Sequence, residues 1–508
     1  GLVSIADAIA IKNGDLDVSS QNTGAFASTF LGDAIAGLGA LETVSLSATF
    51  DGPLDALSIS NLVADHKGDL FTASYRGAAN LGGAGRLNGA IAAKSDDLRG
   101  LLSELGTELP AGDTLKTISF EAGASGVFSS IDLKSVALQL DDLNATGDLN
   151  VNTSGPRTKI SGVLNADTLD LTPFMGASGD SASTSRAWSD APFDFSGLRF
   201  IDLNVDLTAE SIVMSGITFS DAQGSAVLSE GGKFEGEGFK FKAFGGNWTG
   251  DMGLDARAAT PRLNARLTGG AVRVSDFVNG FTGFDPVSGI GQVSLNIASK
   301  GASPKAIVES LTGAAEARIE NGSLKGVNAA AIVRSAQTFL SDGGGPLTLS
   351  PAEETDFTSL RTQFDLQSGV ARLTNFAMDS PFADASGSGR INLGGQLLDL
   401  RIQFKQLGSA ASLGGAIDLS GLDVPVRFSG DWLSPSVSLD TEALQAQFLQ
   451  QTQNKLTQRL TESIGLKPGS SDENGASSPE DEIEALARGA LGGLLGRRRD
   501  RQDDEDED

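Results

Sequence analysis

Few residues in this sequence are of a type that does chemistry. There is one histidine, His66, and no cysteine, so thiol nucleophiles, disulfides, thiolate metal sites and histidine-based metal clusters have nothing to be built from. His66 lies in Ala64-Asp65-His66-Lys67-Gly68, between two apolar stretches, and reads as a solvated turn residue. Asp202 and Asp206 fall on one face of an alternating run, where two carboxylates could bind calcium or share a proton. Among 65 acidic residues such spacing arises freely, and the ordinary reading is a wetted strand face. Three glycine pairs, Gly83-Ala84-Gly85, Gly289-Ile290-Gly291 and Gly387-Ser388-Gly389, are each followed by a strand pattern rather than a helix. They read as turns and not as a nucleotide fingerprint. No catalytic residue, metal ligand or cofactor is assigned, and the chain is not expected to be an enzyme.

Apolar contact is the chemistry that remains. Ile201, Leu203, Val205 and Leu207 alternate with Asp202, Asn204, Asp206 and Thr208. Val293, Leu295 and Ile297 alternate with Ser294, Asn296 and Ala298, and Leu398, Leu400, Ile402 and Phe404 with Asp399, Arg401, Gln403 and Lys405. This period of two marks strands that are wet on one face and apolar on the other. The aromatic residues are 26 Phe against 1 Tyr and 3 Trp. Phe adds apolar area with no polar tip to satisfy, which suits an apolar surface.

The elements that carry these rows are mostly short strands separated by Gly, Asn and Asp. Helices punctuate them. Phe26 to Leu41 reads as an Ala-rich helix, and Ser95 opens another through Leu98, Leu101, Leu102 and Leu105. Ser303 caps a short helix with Pro304 in its first turn, and Ile332, Val333, Ala336 and Phe339 define an apolar helical face over 328–340. Asn321-Gly322 is a dipeptide favoured in tight hairpins and predicts one there. A longer self-similarity pairs Gly147-Asp148-Leu149-Asn150-Val151 with Gly250-Asp251-Met252-Gly253-Leu254, each followed by Pro-Arg and an alternating strand. Stacked supersecondary units leave such a trace.

Composition divides the chain into a first β segment over 1–175, a polar small-residue linker or loop over 176–192, a second β segment over 193–440, an amphipathic helix over 441–466, and a tail over 467–508. The tail holds a disordered linker, a short apolar helix and charged residues. A formal charge of -27 excludes a nucleic-acid partner, because the phosphate backbone demands the opposite sign. No apolar run of 18 residues is present to span a membrane as a helix. At about 15 residues per strand and turn, roughly 25 to 30 strands of about 4.8 Å spacing are expected. Helices are too few to cover the apolar side of so much sheet. A sandwich closed on itself and a sheet curled into an open groove both satisfy that pattern.

The run Gly289 to Leu295, the block over 311–339 and the block over 372–404 resemble the C-terminal region of the AsmA family of bacterial envelope proteins. The similarity covers most of residues 1–440. It implies a mainly β fold with short helices, in which a long, curled antiparallel sheet forms an elongated open apolar groove, with amphipathic helices at the C-terminal end. It also implies a periplasmic protein held to the inner membrane by an N-terminal anchor outside this chain, and phospholipids or other lipids as partners. The groove-lining candidates are Ile201, Leu203, Val205, Leu207, Val293, Leu295, Ile297, Leu398, Leu400, Ile402 and Phe404. The expected function is non-enzymatic binding or conduction of acyl chains between inner and outer membrane, with an envelope protein partner at the C-terminal helix. The alternative is a scaffold or accessory factor in outer-membrane protein assembly.

Overall fold

Alternation of apolar and polar side chains favours strands over most of the chain, and a computed structural model bears this out. It describes residues 10–20, 43–104, 115–172, 188–199, 201–214, 216–342, 353–407 and 422–464. The expected helices over 26–41 and in the tail lie outside these residues. Twenty-two strands and five α-helices are present among them, and several strands run to 13 or 14 residues. The chain forms two compact units. The first holds 1–281, 290–317 and 365–371, and the second 282–289, 318–364 and 372–508.

In the first unit fifteen strands, from Ala10–Ser20 to Val287–Lys300, each pair with the next in sequence. All these pairs are antiparallel except one. Thr158–Asp170 and Ile201–Met214 run parallel, from Ile201 opposite Thr158 to Val213 opposite Asp170. A parallel pair needs a crossover connection, and the polar stretch expected as a linker falls within it. Its described end is docked: Phe193 N donates to Ala302 O at 2.8 Å, and Lys305 N to Ser189 O at 3.0 Å. No pairing among the described residues closes this ladder, so the sheet is open.

Bulges recur along it. Register slips between Ile11 and Gly14, Leu133 and Val136, Gly236 and Phe239, and Gly269 and Val272. Each slip contains a residue of positive φ, respectively Asn13, Ser135, Gly238 and Ala271. A bulge bends its strand and increases its twist. Two of them explain the repeated Gly-Asp motif. Asp148 Oδ1 accepts from Ser135 N at 2.9 Å, and Asp251 Oδ1 accepts from Gly238 N at 2.9 Å, so each carboxylate satisfies the N–H that its neighbour's bulge turns out of the ladder. The preceding glycines face the next strand, where a Cβ would lie 2.1 Å from Val163 O at Gly147 and 1.9 Å from Arg266 O at Gly250.

The same physics corrects two sequence expectations. Asn321-Gly322 makes no hairpin, since Thr312–Lys325 is one continuous strand and Asn321, at φ 53°, is taken up within it. Of the three glycine pairs only Gly83 and Gly85 form a turn; Gly289 and Gly389 sit inside strands, where a Cβ would come within 2.5 Å of the Ile319 side chain and 2.4 Å of Asp399 O respectively, so close approach of the neighbouring strand, not chain reversal, requires glycine.

In the second unit Ala383–Asn392, Leu397–Gln406, Asp423–Asp431 and Ser436–Leu439 form an antiparallel ladder. Helix Ala329–Asp342 packs on strands Leu397–Gln406 and Asp423–Asp431, and helix Thr441–Ile464 packs on Asp423–Asp431 and on the first helix. Both begin with side-chain caps, Asn328 Oδ1 accepting from Ala331 N at 2.8 Å and Asp440 Oδ1 from Ala443 N at 3.1 Å. The ladder ends in a strand of only four residues next to a helix, a usual way to blunt an edge.

Candidate functional site

The eleven apolar residues singled out in the sequence all lie on strands, and each row keeps to one face: their alternate neighbours such as Asn204, Asp206, Asn296 and Arg401 are exposed. The structure separates them by how they are covered. In the first unit Ile201, Leu203, Leu207, Leu295 and Ile297 are only half-buried, whereas Val205 and Val293 are buried. Register places Leu203 opposite Leu228 and Ile160, and Leu295 opposite Leu267, so the rows join across neighbouring strands. The buried cluster here is small, with Val205, Ala226 and Phe239 at its centre and Leu149, Leu203, Phe234 and Met252 against it.

Two short helices border this face near the strand Val287–Lys300. Helix Val274–Thr282 lies over one end, where Phe277 stacks on Trp248 with ring centroids 5.5 Å apart and Trp248 on Phe241 at 6.2 Å. Gly269 makes room for the indole, since a Cβ there would come within 2.7 Å of it. Trp248 Nε1 donates to Ala243 O at 3.1 Å, so the ring is buried with its polar atom satisfied. Helix Pro304–Glu309 lies at the other end, with Ser303 Oγ accepting from Ala306 N as its N-cap. Ser299 Oγ donates to Ile307 O at 2.6 Å, and Ser299 shares the face of Leu295 and Ile297. Between the two helices Leu295 and Ile297 stay half-exposed.

In the second unit the same kind of row is sealed. Phe404 is 1% exposed and Ile402 6%, and Val424 and Val426 on the adjacent strand are buried with Ile332, Val333 and Leu444 of the covering helices. Leu398 is also buried, and Leu400 half-buried.

The polar face is held by charge pairs. Arg157 Nε lies 3.0 Å from Asp202 Oδ1 and its Nη2 donates to Ile201 O at 3.0 Å, across the parallel junction. This binds Asp202 into a structural pair, while Asp206 is exposed. Arg427 beside Asp399, at 2.9 Å, holds that carboxyl below its usual range, and Arg257 lowers Asp255 to about 2. Among the described residues no cluster of three metal-ligating side chains occurs.

His66 departs from its sequence reading. It lies within strand Ser58–Lys67, opposite Val44 and Ala73, on the apolar face. Its ring is 4.3 Å from that of Phe71. A polar-looking five-residue context hid this, because the strand continues through Asp65 and Lys67 with those two on the other face.

An open, mostly antiparallel ladder with short helices makes this a mainly β protein. Residues 84–376 match the AsmA family, and the chain belongs to that family. The AsmA family is a family of the bacterial envelope. No curated protein and no solved structure matches the chain. None of the described helices is long and apolar enough to cross a membrane.

Proposed function

We propose that this chain binds and conducts lipid acyl chains along the apolar face of its first unit, without catalysing a reaction. The observation that carries this reading is the difference in cover between equivalent rows. Leu203, Leu207, Leu295 and Ile297 are left half-exposed on strands whose polar face is complete, whereas Ile402 and Phe404 are sealed by two helices. A face that is apolar, continuous across strands and only half-covered by the described residues is unfavourable in water unless something apolar visits it. An acyl chain laid there gains about 0.8 kcal/mol per buried CH₂, which offsets much of the cost of leaving a bilayer. The face of the first unit then acts as an open apolar groove, with Ile201, Leu203, Val205, Leu207, Val293, Leu295 and Ile297 as its lining. Envelope family membership supports a periplasmic site of action between inner and outer membrane, with attachment to the inner membrane. The half-buried Phe448 and Leu449 of helix Thr441–Ile464 suit an envelope protein partner.

Native mass spectrometry of the chain purified from a Gram-negative host tests this. Co-purifying phospholipid that is lost with Leu295→Asp and Ile297→Asp together, in a variant that keeps its strand signal, is the expected result. A lipid-free wild-type chain that also takes up none from vesicles would overturn it. The scaffold reading draws on one feature, the eleven-residue edge strand Ala10–Ser20, which pairs only with Thr43–Pro53 among the described strands and could receive a partner strand.

A further inference from the structure

Strand Arg262–Arg273 turns Leu263, Ala265 and Leu267 to the apolar face and leaves Arg262, Asn264 and Arg266 exposed on the polar one. Arg262 is its first residue, at one end of the sheet of the first unit. Register sets it between Asp255 on the strand before and Lys300 on the strand after. Asp255 is already engaged: Arg257 Nε and Nη2 donate to its two oxygens at 2.9 and 2.8 Å, and Arg257 also pairs with Glu230. Arg262 therefore reaches Asp255 only from beyond ion-pair distance, adding to the field that lowers its carboxyl. Lys300 is exposed. Neither the Arg262 nor the Lys300 side chain has an ion pair or hydrogen bond among the described residues.

Like charges directly opposite on neighbouring strands destabilise a sheet, and 65 acidic residues against 38 basic ones offer ample choice of a partner. Other cations at the same end of the unit have one: Lys233 lies 2.9 Å from Glu235, Arg157 3.0 Å from Asp202 and Lys305 3.2 Å from Asp190. Arg262 instead lines an open recess of about 310 Å³ together with Asp255, Arg257, Ala258 and Thr260. Thr260 is exposed, and its hydroxyl has no partner among the described residues. An oxyanion answers all three groups. The guanidinium fork takes two oxygens of a phosphate, the ammonium adds a point charge from the adjacent strand, and the hydroxyl donates to a further oxygen. We infer that Arg262, Lys300 and Thr260 form a phosphate-binding site on the polar face of the first unit. The site lies on the opposite face from Leu295 and Ile297 and does not depend on the lipid reading. Its phosphate has two possible sources, the phosphodiester of an anionic lipid headgroup and free inorganic phosphate.

Titration calorimetry of the full chain tests the site, with inorganic phosphate and monomeric dihexanoyl phosphatidylglycerol as separate probes. Binding of inorganic phosphate points to the free ion and binding of phosphatidylglycerol alone to the headgroup. Either supports the site when Arg262→Gln and Lys300→Gln together weaken it about tenfold or more, as loss of charge-assisted hydrogen bonds predicts. Thermal melts separate a ligand site from a structural pair. Without probe the double variant melts at or above the wild type, because two opposed like charges are gone, and the bound probe raises Tm in the wild type alone. Arg76→Gln, which removes a paired cation of the same face, leaves binding unchanged. So does Leu295→Asp with Ile297→Asp for inorganic phosphate, which keeps this outcome separate from that of the apolar face. Neither probe binding, binding unchanged in the double variant, an equal loss in Arg76→Gln, or a double variant that melts well below the wild type each overturns the site.

Discussion

The backbone N–H of Gly238 donates to Asp251 Oδ1 at 2.9 Å, and this one bond explains why Gly250-Asp251 recurs as Gly147-Asp148. A bulge with a residue at positive φ leaves an N–H without a ladder partner, and an aspartate on the next strand supplies one. Glycine must come just before it, because the following strand's carbonyl occupies the space of a side chain. The motif is therefore a bend in the sheet with its acceptor built in.

Replacing Asp251 by Ala should lower stability by about 0.5 to 1.5 kcal/mol, the net worth of a typical hydrogen bond whose exposed donor water can satisfy, with less effect at Asp251→Asn, which keeps an acceptor. Thermal melts of the two variants check this. Equal loss in both would mean that charge, not hydrogen bonding, holds the bulge.

Gly250→Ala should be worse than Asp251→Ala. Its Cβ would sit 1.9 Å from Arg266 O on a residue already at φ 154°, so the two strands must separate. Loss of amide protection over 246–273 in hydrogen exchange is the expected readout, and unchanged protection would count against close approach as the reason for the glycine.

Acid should weaken the fold through the paired aspartates. Asp255 is held at about 2 by Arg257, and Asp148, through Ser135 N–H and then Lys134, and Asp399, through Arg427, are also lowered. Unfolded carboxylates titrate near 3.9, so the unfolded chain binds more protons in this window and stability rises with pH there. The contribution is complete above about pH 5 and is lost as pH falls toward 2. Urea midpoints between pH 6 and 3 measure it, and Asp255→Asn should flatten the slope. A steeper slope in that variant would reverse the assignment.

The two kinds of apolar row should respond oppositely to truncation. Phe404→Ala removes a sealed side chain and should destabilise the second unit by about 3 to 5 kcal/mol. Leu295→Ser, on the half-exposed row, should lower stability by about 1 kcal/mol or less while weakening lipid uptake. Denaturant curves and lipid binding measured on both variants decide this.

Photo-crosslinking should follow strand parity. A photoreactive residue at Leu295 or Ile297 should label lipid in cells, and one at Ser294 or Asn296 should not. Equal labelling from both sets would remove the sidedness on which the functional proposal depends.

Local chemistry was legible in the sequence alone. Alternation placed Leu203, Leu295 and Leu400 on strands with the correct faces, Ser303 and Pro304 started their helix, and the Gly-Asp repeat was visible before its purpose was, because each depends on residues near in sequence. Tertiary structure decided the rest. Asn321 accepts positive φ equally in a hairpin and within a continuous strand, and only the surrounding strands choose between them. His66 looks like a turn residue until its strand is seen to run on through Lys67. Ile402 and Leu295 belong to rows of the same pattern, yet one is sealed and the other half-exposed, because helices more than thirty residues away cover the first, and no described helix covers the second. Periodicity states which face a side chain takes; what lies over that face is set by elements distant along the chain.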